Sequence, residues 1–244
     1  MDIKGIRILI TGASRGLGRT LAFAFAEAGA AEVLAGTRRQ EDRESILSEA
    51  KKKNLTITPV QLDVTSDDDV EAVARIGTFD ILVNNAGVAG FGNPVEMDFV
   101  VLREELEVNY VGALRMVRAV APAMIAQRDG MIVNVATAFA KVNLPIVGSY
   151  CATKAALLSL GQALRAHLSE HGVKVITVMP TTIDTDMSRG ADVPKMTKEF
   201  VAGEILEAIQ QEKLDPPIGV EAKVVLERLA KDPAGLESML SAMK

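Results

Sequence analysis

The chain has 244 residues, a net charge of −5 and a 48% hydrophobic composition, enough for one α/β domain with a large core and short for two. The mild acidity excludes the basic face that a nucleic-acid surface needs, and no apolar run is long enough to span a bilayer. The start "MDIKGIRILITG" is too charged and too soon interrupted for a signal peptide, and the one cysteine, Cys151, forms no intrachain disulfide, so a cytoplasmic protein is the default expectation.

Residues 6–11 read as a buried strand and 20–28 as a helix with an alanine-rich face. Residues 32–36 are a second strand, 41–53 a charged amphipathic helix and 56–62 a third strand. A short helix over 67–75 has Ser66 as its N-cap. Residues 80–84 are a fourth strand, and 98–128 is long enough for one bent helix or for two. A fifth strand over 130–135, a helix over 149–171 and a sixth strand over 173–179 follow. After Pro194 the pattern changes to a helix near 200–211, the turn-rich "DPPIG", a helix over 221–230 and a short one after Asp232; a closing strand there is short at best. The βα alternation predicts a Rossmann-type doubly wound parallel sheet of six to seven strands flanked by helices, as a single domain over 1–244. In such sheets ligands bind beyond the carboxyl ends of the strands.

"TGASRGLG", Thr11 to Gly18, follows the first strand and opens the first helix. Glycines there permit a tight turn and let backbone amides approach a pyrophosphate, and the helix N-terminus adds partial positive charge. The spacing GxxxGxG differs from the GxGxxG dinucleotide fingerprint. After the second strand comes "AGTRR", with no carboxylate to accept from ribose hydroxyls, as an NAD site requires. Arg15 and Arg38 are instead placed to bind a 2′-phosphate, and Thr37 is small enough to admit one. These features point to NADP(H). Tyr150 and Lys154 stand i and i+4 on a predicted helix, so their side chains share a face about 6 Å apart along the axis. A cation beside a phenol favours the phenolate and is expected to lower its pKa from about 10, which suits a general acid/base. His167 and His171 are also i,i+4, but no glutamate base lies between them, so no metal site is expected.

Together "TGASRGLG", "NNAG" at 84–87 and "YCATK" at 150–154 resemble the short-chain dehydrogenase/reductase family, from residue 6 to about 187 and more loosely through the tail. The resemblance implies a carbonyl reductase or alcohol dehydrogenase. Tyr150 would move a proton to or from the substrate oxygen, and Lys154 would hold the nicotinamide ribose. Asn109 in "EVNYVG" would anchor a water relay toward the lysine. Most members have a serine thirteen residues before the tyrosine, where this chain has Thr137; threonine keeps the O–H donor and stiffens χ1. The same resemblance assigns cofactor contacts to Gly12, Ser14, Arg15, Gly16, Leu17, Gly18, Thr37, Arg38, Asp63, Val64, Asn85, Ala86, Gly87, Pro180, Ile183 and Thr185. The family commonly has glycine after Pro180, where this chain has Thr181, so an ordinary backbone is expected there. A short substrate lid is expected near 186–198. Candidate pocket residues are Val88, Phe91, Phe139, Val142, Ile146 and Val147, which suit a neutral or apolar carbonyl or alcohol. The long helices over 98–128 and 149–171 predict a homotetramer or homodimer. Two other readings stay open. One is a non-catalytic nucleotide-binding sensor or scaffold on the same fold, and the other is dehydration or epimerisation.

Overall fold

The computed structural model describes residues 1–242. Seven parallel strands form one sheet: β1 (Arg7–Ile10), β2 (Glu32–Thr37), β3 (Ile57–Gln61), β4 (Ile81–Asn84), β5 (Gly130–Val135), β6 (Val173–Pro180) and β7 (Pro217–Ile218). Their order is β3-β2-β1-β4-β5-β6-β7, the doubly wound arrangement expected from the βα alternation. The order reverses between β1 and β4, which opens a crevice at their carboxyl ends.

The strands read as continuous apolar runs because both faces are covered. Successive side chains point to opposite faces. Ile8, Ile10, Val33, Val83, Val133 and Val178 therefore pack on one side, against Leu21, Phe25 and Ile205. Leu9, Leu34, Leu82, Ile132 and Val175 pack on the other, against Met116, Val117 and Val120. The helices of the first side include α1 (Gly16–Glu27), α2 (Gln40–Lys53) and α7 (Lys198–Gln210); α3 (Asp67–Ala74), α5 (Ala113–Gln127) and α6 (Gly148–Leu168) lie on the second. Ser66 caps α3 as expected, accepting from Asp69 N at 3.2 Å.

A polar rung interrupts the apolar strands on the α6 side. Asn84, Asn134 and Thr177 are in register across β4, β5 and β6. All three are buried, and Asn84 Nδ2 donates to Asn134 Oδ1 at 3.0 Å. Gly161 of α6 leaves the room they need, since a Cβ there would lie 2.5 Å from Thr177 Oγ1.

The segment over 98–128 is an unbroken helical run. It comprises α4 (Phe99–Leu106), a π turn over Glu107–Gly112 and α5. Asp98 caps it, and Arg128 closes it in the left-handed region with φ 55°. The closing strand β7 has two residues, followed by α8 (Val220–Lys231) and α9 (Pro233–Ser241). The expected helix start at residue 20 is corrected to Gly16. The glycines that lower helix propensity there are tolerated because the turn they open needs close backbone approach. No described helix is long and apolar enough to cross a membrane.

Candidate active site

The loops after β1 and β4 meet at the crevice. A Cβ on Gly12, whose φ is +65°, would lie 2.7 Å from Ala86 Cα, and one on Gly18 would lie 2.3 Å from the Gly12 carbonyl oxygen. Thr11 pins the two loops together: its hydroxyl accepts from Asn85 N and Ala86 N, both at 3.0 Å. Asn85 Nδ2 in turn donates to the carbonyls of Thr11 and Gly12, at 3.0 and 3.1 Å. The first helix starts at Gly16 with no side-chain cap, so its leading N–H groups remain available to an anion at the crevice. Ser14 and Leu17 belong to this turn; Leu17 is buried beneath it. A narrow cradle with free helix amides fits a dinucleotide pyrophosphate.

The adenosine end departs from expectation in detail. Arg38 is exposed just beyond β2, free to meet a phosphate. Arg15 instead pairs with Asp186 at 3.0 Å across the crevice, and Arg189 also contacts Asp186. Thr37 is 1% exposed and donates toward the Arg39 carbonyl. It is therefore a packed strand end and not an open doorway. Asp63 Oδ1 accepts from the Thr65 N–H and hydroxyl, at 2.9 and 2.8 Å, so this oxygen shapes the turn after β3. Val64 is buried with its methyl against Gly112.

Tyr150 and Lys154 share one face of α6, with Lys154 Nζ 5.7 Å from the tyrosine ring centroid. Lys154 is 3% exposed, and its ammonium donates to the Val135 carbonyl at 2.8 Å. Gly87 borders both this lysine and the asparagine: a Cβ there would lie 3.2 Å from Asn109 Oδ1 and 3.4 Å from Lys154 Nζ. Burial lowers the lysine pKa to about 8. The expectation that Tyr150 is lowered is corrected. Burial pushes its pKa above the ordinary phenol value, and the neighbouring Cys151 and Glu105 push it the same way. The cation is itself buried and tied to a carbonyl, so desolvation of the phenol dominates.

Asn109 lies in the π turn, a feature frequent at functional sites. Its side chain makes three bonds within the fold: Oδ1 accepts from Val88 N, and Nδ2 donates to the Val88 carbonyl and Thr153 Oγ1, all at 2.9 Å. The side-chain amide therefore fastens the loop after β4 to α6, while Oδ1 keeps a second lone pair on the side of Gly87. Thr153 completes the link by donating to the Tyr150 carbonyl at 2.8 Å. Thr137 is 5% exposed at the end of β5. Its hydroxyl donates to the Pro180 carbonyl at 2.9 Å and accepts from Phe139 N at 3.3 Å. Presenting that hydrogen to a substrate requires turning it away from Pro180.

After β6, Thr181 has an ordinary backbone, since it is not among the positive-φ residues. A methyl of Thr185 stands 3.4 Å from where a Cβ on Gly16 would lie, and Ile183 bridges to Met196. Thr185 thus borders the glycine turn, while Ile183 is tied to the segment before α7. Among the candidate pocket residues, Phe91 and Ile146 are exposed, and Gly92 N donates to the Ile146 carbonyl at 2.9 Å. Val88 packs toward the α5 side of the core. Val142 is corrected: it is buried against Leu236 and Leu240 of α9, with Phe139 beside it, because the C-terminal helices need an apolar partner. Thr11, Thr153 and Glu105 escaped the sequence reading. The first two belong to motifs quoted for their glycines and their tyrosine, while the third lies in an acidic run that looks like a solvated helix face.

A family model described as short chain dehydrogenase matches residues 7–194. D-erythrulose reductase of Gallus gallus is 37% identical over 191 residues, 78% of this chain and 76% of that protein. A 3-oxoacyl-[acyl-carrier-protein] reductase of Staphylococcus aureus is 31% identical over 185 residues, 74% of this chain and 75% of that protein. A Burkholderia cenocepacia short chain dehydrogenase, solved in complex with NADP, superposes with a TM-score of 0.90 at 36% identity, over 98% of this chain and 99% of that one. With the crevice, the cradle and the Tyr150–Lys154 helix all in the places the motifs implied, this chain belongs to the short-chain dehydrogenase family.

Proposed function

We propose that the chain is an NADP(H)-dependent oxidoreductase interconverting a carbonyl and a secondary alcohol, with Tyr150 as the acid/base. The observation that carries this reading is the Tyr150–Lys154 pair on one face of α6, with Lys154 held at the carboxyl end of β5. When bound, the nicotinamide supplies or accepts the hydride. The cradle of Gly12, Gly16, Gly18 and Ala86 and the uncapped start of α1 would hold its pyrophosphate, and the exposed Arg38 would hold the 2′-phosphate, joined by Arg15 when it exchanges its partner Asp186 for the phosphate. Cofactor-bound relatives support the choice: the Burkholderia cenocepacia structure contains NADP, and a Sphingobium yanoikuyae short-chain dehydrogenase, 26% identical, contains NADPH.

Burial raises the Tyr150 pKa above the ordinary phenol value, so the phenol holds its proton at neutral pH and serves as the acid for carbonyl reduction. Lys154 stays charged at pH 7, below its pKa of about 8, and faces the phenol as a fixed cation. Thr137 polarises the carbonyl once its hydroxyl turns from Pro180. The substrate is a small neutral carbonyl compound seated among Val88, Phe91, Ile146 and Val147, beneath a short lid over 186–198. The segment around that lid is braced by the Ile183–Met196 bridge. The protein works in the cytoplasm as a homodimer or homotetramer, using the long helical run and α6 as interfaces.

A panel of ketones and aldehydes followed by NADPH absorbance tests the reading. Tyr150→Phe should abolish turnover and leave NADPH binding nearly intact, because the ring still packs. Substantial reductase activity in that variant would overturn the mechanism, and no turnover on any carbonyl by the wild type would favour a nucleotide sensor.

A further inference from the structure

Glu105 lies on α4, one turn before Asn109, and is 1% exposed. An isolated carboxylate is costly to bury, and no ion pair involves this one among the described residues. Its Oε1 accepts from Gly90 N at 2.6 Å, while Oε2 is buried without a hydrogen-bond partner among the described residues. The neighbouring turn repeats the contact two residues earlier in the same loop, where Asn109 engages both the N–H and the carbonyl of Val88. Val88 and Gly90 alternate along the chain as residues of a strand do. The N–H groups of both residues thus turn toward a row of side chains on the helical run. Gly90 is pressed close to that row: a Cβ there would lie 2.6 Å from Val101 Cγ1 and 3.3 Å from Met97 Sδ.

The same segment continues to Gly92, whose N–H donates to the Ile146 carbonyl at 2.9 Å, and Gly92 bridges to Val147. Val147 immediately precedes α6, which bears Tyr150 three residues later. A continuous set of contacts therefore runs from Glu105 through Gly90 and Gly92 to the first turn of the tyrosine helix.

We infer that Glu105 is a positioning residue: with Asn109 it clamps the 88–92 segment, fixing the pocket wall that seats the carbonyl substrate opposite Tyr150. The inference rests on the carbonyl-reductase reading for its kinetic consequence but not for the clamp itself. Glu105 touches no reacting atom, and its push on the Tyr150 pKa is the smallest of the three named causes, so its loss disturbs substrate placement more than proton transfer.

The test compares Glu105→Leu, which cannot accept a hydrogen bond, with Glu105→Gln, which keeps one acceptor. For a ketone that the wild type reduces, Glu105→Leu should raise KM about tenfold, the equivalent of about 1.4 kcal/mol. Its kcat and its NADPH Kd should stay within about threefold. Glu105→Gln should stay within about threefold of the wild type in KM. Gly90→Ala drives the loop off the clamp from the other side and should raise KM as Glu105→Leu does, with Val101→Ala restoring room and part of the loss. Amide hydrogen exchange of the 88–92 peptide should speed up in Glu105→Leu and remain slow in Glu105→Gln. A wild-type KM in Glu105→Leu with only a lower melting temperature would overturn the inference, and so would equal damage from both Glu105 variants. If the wild type reduces no carbonyl at all, the functional reading fails, while unchanged exchange at 88–92 in Glu105→Leu would separately remove the clamp.

Discussion

Replacing Lys154 with methionine should stabilise the ligand-free fold at neutral pH while ruining the site. The ammonium is 3% exposed and has one protein acceptor, the Val135 carbonyl. Burial lowers its pKa from 10.5 to about 8. At pH 7, below both values, the folded chain carries a charge that burial disfavours by roughly 3 kcal/mol, at about 1.4 kcal/mol per pKa unit. Methionine keeps the unbranched stem and removes the charge, but leaves the Val135 carbonyl without this donor, which costs about 1–3 kcal/mol. The net gain is about 1 kcal/mol, or about 2–4 °C in Tm for a chain of this size. The sign reverses with pH. Because the folded pKa lies below the unfolded one, the wild-type penalty is complete below about 8 and fades as pH rises toward 10.5. The variant should therefore lose its advantage, and turn less stable, by about pH 10. Thermal unfolding of both proteins without ligand at the two pH values measures this, with NADPH binding followed in parallel by fluorescence. The variant should bind NADPH poorly if Lys154 holds the nicotinamide ribose as proposed. A lower Tm than wild type at pH 7, or a difference that does not change with pH, would refute the reasoning.

Thr137→Val keeps the shape of the strand end and removes its donor. It should lower kcat about 10²–10³-fold and reduce stability by about 1 kcal/mol through the lost bond to Pro180; an unchanged kcat would leave polarisation to Tyr150 alone. Wild-type NADPH should bind at least about tenfold more tightly than NADH, from arginine–phosphate contacts worth about 1.5–3 kcal/mol each. Arg38→Asp should erode or invert that preference in a titration of both cofactors, whereas equal wild-type affinities would refute the assignment. Light scattering at micromolar concentration should give a dimer or tetramer mass, since Phe99 and Val100 stand 71% and 65% exposed on α4; a purely monomeric mass would refute the proposed assembly.

The sheet was legible because parallel strands buried on both faces leave runs such as Ile8–Leu9–Ile10 that few other structures tolerate. The motifs located the crevice for the same reason: Gly12 and Gly18 stand where backbone atoms touch. What the pattern could not reveal was the use of each polar group. Thr137 and Asp63 were readable as residues but not as hydrogen bonds, because their partners, Pro180 and Thr65, are chosen by local geometry. The raised tyrosine pKa was hidden because proximity to a cation is visible in an i,i+4 spacing and desolvation is not. Glu105 was invisible because "REELE" has the composition of a solvated surface; only the fold turns one of those acids inward.

The polar rung of Asn84, Asn134 and Thr177 bears on how the sheet finds its alignment. Parallel pairing joins segments far apart in the chain and forms slowly, so a strand has time to try neighbouring registers. Valines and isoleucines pair almost as well one or two positions out of place. The rung does not. If β5 advanced by two residues, Asn134 would leave Asn84 and Thr177 for apolar neighbours, and the side-chain bond from Asn84 Nδ2 to Asn134 Oδ1 would be lost, at about 1–3 kcal/mol for each of the two groups left buried without it. A slip of one would turn Asn134 to the opposite face altogether, away from the notch that Gly161 leaves for it. Three apolar residues in their place would cover the same area without this discrimination. The rung thus works as a key cut into an otherwise uniform apolar lock, and it lies at the carboxyl ends of β4 and β5, where a misaligned strand would carry Lys154's acceptor and the cradle's Ala86 out of position together.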